Sequence, residues 1–217
     1  MSKLRFNITM SLDGYVAGPN QSVEHPLGEG AEHLHDWLFR LKSFKEIHGD
    51  GGGGGETGVN DDIVRETFVN IGATIMGRNM FGGGPGPWAT KNPWNGWWGN
   101  DPPFHTPVFV LTHHARAPVE MTGGTRFIFV TDGIQTALGQ AKKAAGNKDV
   151  SLGGGASVAQ QYLAAGLIDE MELHVVPQLL GGGARLFDGL GRLDLRLEPV
   201  RTVEGPGVTH LKYRVIK

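Results

Sequence analysis

The sequence predicts an α/β protein with a mostly parallel central sheet and an antiparallel edge formed by its last strands. Through the middle of the chain, short apolar strands alternate with amphipathic helices, which is typical of parallel β-α-β units. The last two strands, at 193–203 and 208–215, have no helix between them and are therefore expected to pair in the antiparallel sense. The 217 residues suffice for one domain that buries about 70% of its unfolded surface.

Composition excludes several classes of protein. The chain has no cysteine, which rules out disulfide scaffolds, zinc fingers, iron–sulfur clusters and thiol nucleophiles. Its formal net charge is −2, a balance that attracts neither nucleic acid nor an anionic membrane. The first residues lack the apolar block of a signal peptide. We expect one cytoplasmic domain over residues 1–217, without nucleic-acid or membrane partners.

The N-terminal quarter contains a strand, a helix and a glycine-rich loop. Apolar and polar residues alternate over 4–10, which predicts a strand. Leucine and tryptophan recur at three- and four-residue steps over 31–44, which predicts a helix. Residues 48–58 include five consecutive glycines and are expected to form a mobile surface loop. Asn60 is a suitable N-cap for a helix over 61–71.

The rest of the chain alternates strands and helices around one long irregular segment. The predicted strands are 73–76, 107–111, 126–130, 150–152 and 169–176, and the predicted helices are 133–145 and 157–165. The segment 82–106, called the tryptophan loop below, has no periodicity and holds five prolines and four tryptophans. A loop of this length in a compact domain is usually functional.

The glycine run at 153–155 lies between a strand and a helix. Glycine supplies 35 of the 217 residues, which is about 16%, whereas roughly 7% is typical of proteins. Bare backbone N–H groups at a helix N-terminus bind anions such as phosphate. The alternative is a tight strand-to-helix turn that needs glycine only for its geometry, and the run alone does not choose between them.

Two further strand ends carry donors that suit anions. Gly77 and Arg78 follow one strand, and Thr112, His113 and Arg116 follow another. Ligands in open α/β sheets bind beyond the carboxyl ends of strands. Three such ends together predict a nucleotide with more than one phosphate, although any single side chain among them could be a solvated surface group.

The nine histidines do not have the spacing of metal ligands. His33 and His35 point to different sides of a helix, and His113 and His114 point to opposite faces of a strand. We therefore expect no metal. The chain also lacks the GxSxG elbow of serine hydrolases.

Aromatic side chains of the tryptophan loop are candidates for substrate contacts. Trp88 and Trp97, with the neighbouring rings of Trp94, Trp98 and Phe104, could form an aromatic cover over a flat substrate. Equally, they could pack the loop against the body of the protein or against a second subunit.

Six motifs in order resemble the dihydrofolate reductase-like superfamily. The most similar branch is the bacterial one related to the C-terminal reductase domain of the bifunctional riboflavin biosynthesis protein. The motifs are SLDGYVAG (11–18), IMGRNMF (75–81), PVFVLT (107–112), GGGAS (153–157), LAAGLIDE (163–170) and PQLLGGG (177–183). The resemblance implies the three-layer dihydrofolate reductase-like fold over nearly the whole chain.

The resemblance also implies an NADPH-dependent reductase. The positions that match the family's cofactor site are Gly77, Arg78, Asn79, Thr112, His113, Arg116, Gly153, Gly154, Gly155, Ala156 and Ser157. Ser11 and Asp13 would flank the nicotinamide on the substrate side, with Asp13 as the candidate catalytic group. Trp88 and Trp97 are assigned to the substrate side as well.

Two departures bear on the reaction. The pyrimidine reductases of this branch usually carry a glutamate where this chain has Gly153 and a lysine where it has Asn7. Both are substrate-side positions. The implied activities are reduction of 5-amino-6-(5-phosphoribosylamino)uracil, as in riboflavin biosynthesis, or a dihydrofolate-type reduction. The alternative is an NADPH- or nucleotide-binding protein without turnover.

A homodimer is expected from an apolar segment near the C-terminus. Met171, Leu173 and Val175 alternate towards one face, and 176–180 adds further apolar surface. The resemblance implies pairing through this half of the chain. A symmetric pair would bury the segment against its copy.

Overall fold

The computed structural model describes residues 2–49, 54–193 and 195–216, and its centre is a nine-stranded sheet. The strand order is β10-β11-β8-β1-β7-β3-β4-β6-β5. These strands and the small pair β2–β9 are β1 Leu4–Ser11, β2 Tyr15–Ala17, β3 Ile71–Gly77, β4 Pro107–Leu111, β5 Val119–Glu120, β6 Arg126–Val130, β7 Asp149–Leu152, β8 Glu170–Val176, β9 Ala184–Arg185, β10 Arg196–Gly205 and β11 Val208–Ile216. The helices are α1 Asp36–Phe39, α2 Lys42–Ile47, α3 Val59–Phe68, α4 Arg78–Phe81, α5 Gly133–Ala145 and α6 Ala156–Ala164.

The predicted sheet is confirmed. The six strands from β8 to β6 in this order run parallel, and β11, β10 and β5 pair in the antiparallel sense. None of the helices in the described ranges is long and apolar enough to cross a membrane.

One face of the sheet is covered by α5 and α6. Alternate residues of the central strands point to it, among them Phe6, Ile75 and Leu173, and they form the largest apolar core. The buried Tyr162 hydroxyl of α6 donates to the Ile134 carbonyl of α5, at 2.9 Å, so the two helices are joined as one layer. The period of two in the strands thus places one continuous apolar layer on this side.

The opposite face has two separate covers. Helices α1 to α3 cover β8 and β11, where Leu34, Trp37 and Leu41 pack on Val176 and Val208. The tryptophan loop and α4 cover β3, β4 and β6, whose inner residues contact Phe81 and the indole rings. The tryptophan loop therefore takes the place of a helical layer, and the three-layer fold is confirmed.

Two helix predictions need correction. The helix expected over 31–44 is divided, because Leu41 is extended, with ψ at 144°, and its neighbours form backbone hydrogen bonds with Glu56. The helix expected over 61–71 with Asn60 as its N-cap instead covers Val59–Phe68, with Gly58 as its N-cap. The Asn60 amide is turned to the Pro206 carbonyl, and Ile71 is the first residue of β3. Long-range pairing outweighed the local preference in both places. Of the predicted loop 48–58, residues 50–53 lie outside the described residues.

The segment expected to form a dimer interface lies in the core instead. Strand β8 sits between β1 and β11, and Met171 and Leu173 are 1% and 5% exposed within the apolar core of one chain. Alternation in β8 therefore reflects the chain's own sheet. Leu179, just beyond the strand, is 75% exposed and remains available to a second copy.

Candidate functional site

The two predicted glycine segments meet at the ends of adjacent strands. The Gly77 N–H donates to the Gly154 carbonyl, and the Gly153 N–H donates to the Ile75 carbonyl, both at 2.8 Å. A Cβ on Gly77 would lie 2.6 Å from Cγ2 of Val158 in α6. Only glycine leaves room for α6 to approach β3 this closely. We call this pairing the glycine seam.

The glycine seam leads into the N-terminus of α6. Gly155 is the N-cap, and its carbonyl accepts from the Val158 and Ala159 N–H groups. The N–H groups of Ala156 and Ser157 have no partner within the helix, as at every helix start. A Cβ on Gly155 would have no atom within 4 Å, so a ligand can approach the backbone here. The site suits an anion.

A polar strip runs along the central strands towards the glycine seam. Asn7 and Thr9 of β1, Ser151 of β7 and Thr74 of β3 share one sheet face, because Arg5, Ser151 and Thr74 are direct partners in register. This strip, the polar trough, lies between the helical cover over β8 and the tryptophan loop over β3. Asn7 and Ser151 are half-buried and can hydrogen-bond a ligand.

Arg78 is bound to the tryptophan loop. Its Nε donates to the Gly82 carbonyl at 3.1 Å, and its Nη2 donates to the carbonyls of Gly83 and Gly84 at 3.3 and 2.9 Å. The guanidinium carbon lies 3.1 Å from the centre of a Trp88 ring. Burial lowers the pKa of Arg78, and the nearby Arg116 charge lowers it further. Arg78, which the sequence predicted to bind phosphate, thus anchors the tryptophan loop in this conformation.

The other predicted donors lie at the neighbouring strand end. Arg116 donates to the Trp94 carbonyl and, at 2.6 Å, to the Asn95 amide oxygen, so it too binds the tryptophan loop. Burial lowers the pKa of Arg116. Thr112 Oγ1 accepts from the His114 N–H at 3.2 Å, whereas Asn79 and His113 are exposed. His113 is therefore the basic side chain of this group that stands open to a ligand.

The tryptophan loop is packed against the body. The indole N–H groups of Trp88, Trp94 and Trp97 donate to the backbone carbonyls of His114, Phe81 and Met80 at 2.8–2.9 Å. Trp88 also makes edge contacts with Phe81 and Phe129. In the structure these rings therefore pack the tryptophan loop against the body of the protein. Trp97 is the most exposed of them, at 36%.

Asp13 is held as a carboxylate. It accepts from the Ser11 hydroxyl at 2.6 Å and from the Leu180 and Gly181 N–H groups at 3.1 and 2.7 Å. The Ser11 hydrogen bond, followed by the two backbone hydrogen bonds, lowers the pKa of Asp13 to about 2. An ionised carboxylate with three donors suits the holding of the 178–181 turn better than the donation of a proton.

We predict that the Asp13 contact persists at neutral pH and is lost in acid. Because its folded pKa is lowered, the stabilisation is present above the unfolded pKa of about 3.9 and is lost as the pH falls towards 2. Asp13→Asn should speed hydrogen exchange at Leu180 and Gly181 at pH 7, whereas Asp188→Asn, at an exposed position, should not. Equal exchange in both variants would contradict the assignment.

A buried histidine pair was not predicted from the sequence. His174 and His210 are 4% and 0% exposed, and their Nδ1 atoms lie 2.8 Å apart. Asn60 Oδ1 lies 3.0 Å from Nε2 of His210. Burial lowers the pKa of His174 to about 3 and that of His210 to about 4. The sequence signal that could have indicated this pair is the place of both histidines at inward-facing positions of two predicted strands. No group of three metal-ligating side chains occurs in the part of the chain that the structure describes.

The parallel sheet, its antiparallel edge and the glycine seam place the protein in the dihydrofolate reductase-like α/β class. The sequence comparison is more specific. Residues 2–211 match the model of the RibD C-terminal domain family, and the chain belongs to that family.

Three known proteins are similar to this chain in sequence or in fold. The chain is 26% identical over 217 residues to YyaP of Bacillus subtilis (strain 168), a protein of unestablished function, covering 97% of this chain and 94% of that one. A candidate riboflavin biosynthesis protein from Shewanella sp. PV-4 has a TM-score of 0.60 at 22% identity, with full coverage of both chains. Dihydrofolate reductase from Enterococcus faecalis, solved with NADP(H), has a TM-score of 0.51 at 14% identity, covering 99% and 97%. These structures share the fold.

Proposed function

We propose that this protein is an NADPH-dependent reductase that transfers hydride to a small heterocyclic substrate. The observation that carries the proposal is the glycine seam, which opens at Gly155 onto the N-terminus of α6. It occurs in a chain of the RibD C-terminal domain family. The structural neighbour solved with NADP(H) supports the choice of cofactor.

The residues present fit such a cofactor. The backbone from Gly153 to Ser157 would hold the pyrophosphate through the N–H groups at the start of α6, because the space beside Gly155 is open. His113 is exposed just after β4, which is separated from β7 by β3. It would bind the additional phosphate that distinguishes NADPH from NADH. When bound, NADPH supplies the hydride, and the protein supplies position and the exclusion of water.

The polar trough would hold the substrate. Asn7 and Ser151 offer an amide and a hydroxyl, which can both donate and accept hydrogen bonds, as the edge of a pyrimidine or pterin ring requires. Family membership favours a ribosylaminopyrimidine of riboflavin biosynthesis over dihydrofolate. Ser11 and Asp13 would hold the adjoining turn in place through the contact to residues 178–181.

A second candidate is a nucleotide-binding protein without turnover. The observation that favours it is the state of Asp13, whose lowered pKa leaves it ionised and unsuited to giving a proton to the substrate. NADPH oxidation measured with aminopyrimidine and dihydrofolate substrates separates the candidates. Oxidation coupled to loss of one substrate establishes the reductase, whereas tight NADPH binding without oxidation establishes the alternative.

We predict that Gly155→Val weakens NADPH binding at least tenfold, which is about 1.4 kcal/mol, without unfolding the protein. The backbone at Gly155 has φ at −78°, which valine tolerates, and no atom lies within 4 Å of the new Cβ. The added side chain should therefore disturb only a ligand. Isothermal titration calorimetry measures the affinity, and thermal unfolding measures stability.

Gly139→Val is the matched control, because Gly139 is exposed in the middle of α5 and also has free space around its Cβ position. It should leave NADPH affinity unchanged. Unchanged affinity in Gly155→Val as well, with both variants folded, would remove the cofactor site from the glycine seam.

A further inference from the structure

The buried histidine pair and Asn60 form a row of hydrogen bonds in which the position of each ring hydrogen can be assigned. The Asn60 Nδ2 group donates to the Pro206 carbonyl at 3.1 Å, so Asn60 Oδ1 faces His210 Nε2 as an acceptor. His210 therefore carries its proton on Nε2 and accepts at Nδ1. The neighbouring His174 then donates from Nδ1 across the 2.8 Å separation. In this arrangement both rings are neutral.

Trp37 rests on this pair. Its ring centre lies 5.1 Å from that of His174 and 5.3 Å from that of His210. Trp37 belongs to the α1–α2 segment, residues 34–47, which packs on the sheet through Leu34, Trp37 and Leu41. The Trp37 indole N–H and the Nδ1 atom of His35 are buried without a hydrogen-bond partner. The contact with the histidine pair is thus one of ring packing, and the segment can separate from it without breaking a hydrogen bond there.

No buried carboxylate around the pair is free to neutralise an additional proton on it. The charged and titratable groups on the elements packed around it include His35 and Asp36 of the α1–α2 segment, Asp61 and Glu66 of α3, Glu172 of β8, Arg201 of β10 and Lys212 of β11. The other carboxylates on these elements are exposed, apart from Glu170, which is paired with Lys3. Arg201 donates to both Glu66 and Glu172, and Lys212 donates to Glu66.

The remaining two carboxylates are also occupied. Asp61 accepts from the Ser43 N–H and from Arg65, and Asp36 lies 2.9 Å from His33. A proton added to the pair would create a buried positive charge near Arg201 with no counter-ion, which is strongly unfavourable.

We propose that His174 and His210 form an acid-sensitive latch, whose protonation releases the α1–α2 segment from the sheet. Release uncovers both rings on the side where Trp37 packs, so water reaches them and solvates their charged forms. The latch lies one strand away from the polar trough, since His174 is the direct partner of Thr9 on β1. Acid therefore uncovers the strand beside the proposed substrate site.

The direction follows from the proton affinities of the two states. In the closed state burial holds the pKa of His174 near 3 and that of His210 near 4, whereas exposed histidine titrates near 6.5. The closed state is therefore favoured above pH 6.5 and loses stability as the pH falls towards 4. From pH 7 to pH 5 each of these two histidines raises the open-to-closed ratio roughly 20-fold, and the pair raises it several hundredfold. His35 lies on the released segment, and burial lowers its pKa to about 4, so it adds to the response in the same direction.

Hydrogen exchange read by mass spectrometry tests the latch on the full chain. After correction for the intrinsic exchange rate, peptides from 34–47 should open at least several hundredfold more at pH 5 than at pH 7. Peptides from α5 and from the tryptophan loop should change much less. Equal opening throughout the chain would indicate global unfolding and would overturn the proposal, as would unchanged protection of 34–47.

His174→Asn is the variant that separates titration from packing, because the asparagine amide can donate as Nδ1 does but cannot take up a proton. Its pH dependence of opening should be about 20-fold weaker than in the wild type. The control His25→Asn removes an exposed histidine and should keep the full dependence. Equal dependence in all three proteins would overturn the proposal. If His174→Asn does not fold, the localised response of the wild type and of His25→Asn decides.

Discussion

The Leu173→Glu variant is expected not to fold. Leu173 lies on the central strand β8, between β1 and β11, and is 5% exposed within the main apolar core. A glutamate there would place an unpaired carboxylate among aliphatic side chains and leave the leucine's volume poorly filled. Such a change costs several kcal/mol, which approaches the 5–15 kcal/mol that stabilises a typical domain. Circular dichroism and soluble yield measure the effect.

The matched control is Leu179→Glu, three residues beyond the end of the same strand. Leu179 is 75% exposed, so the substitution should leave thermal unfolding unchanged within about 0.5 kcal/mol. Because this leucine remains accessible to a second copy, the same variant tests the proposed homodimer by sedimentation. A soluble, folded Leu173→Glu monomer would contradict the core assignment and would return β8 to the subunit interface.

Arg78→Ala is expected to detach the tryptophan loop and to lower stability by about 3 kcal/mol. The guanidinium donates to three consecutive carbonyls, those of Gly82, Gly83 and Gly84, and lies against Trp88. Hydrogen bonds from charged donors contribute about 1.5–3 kcal/mol each before non-additivity, and the ring contact about 0.5–2 kcal/mol. Urea unfolding measures the loss, and a red shift of tryptophan fluorescence reports the exposed rings.

Arg78→Lys should not restore the loop, because an ammonium group cannot reproduce the planar fork that contacts three carbonyls. Asn79→Ala, at the exposed neighbouring position, should retain wild-type stability. If Arg78→Ala kept full stability and wild-type fluorescence but lost NADPH binding, Arg78 would be a phosphate ligand rather than the anchor of the loop.

Local sequence determined the elements that need no distant partner. Three features could be predicted because each pattern has a local cause. They are the alternation in β1 and β8, the helix α5 over Gly133–Ala145 and the close backbone approach at glycines 77 and 153–155. Periodicity reports which side of an element is buried, and glycine marks places where backbones approach closely. The order of the six motifs was sufficient for the family and the fold.

Tertiary structure alone decided which partner each polar side chain has. Arg78 and Arg116 face the tryptophan loop, Asp13 faces the 178–181 turn, and Asn60 faces His210, since a side chain binds the nearest satisfactory partner in space. The tertiary structure likewise placed β8 inside the sheet, where the alternating apolar side chains of Met171, Leu173 and Val175 resemble those of a subunit interface. Burial is a property of the assembled layers, and sequence spacing does not reveal whether the covering layer comes from the same chain or from another.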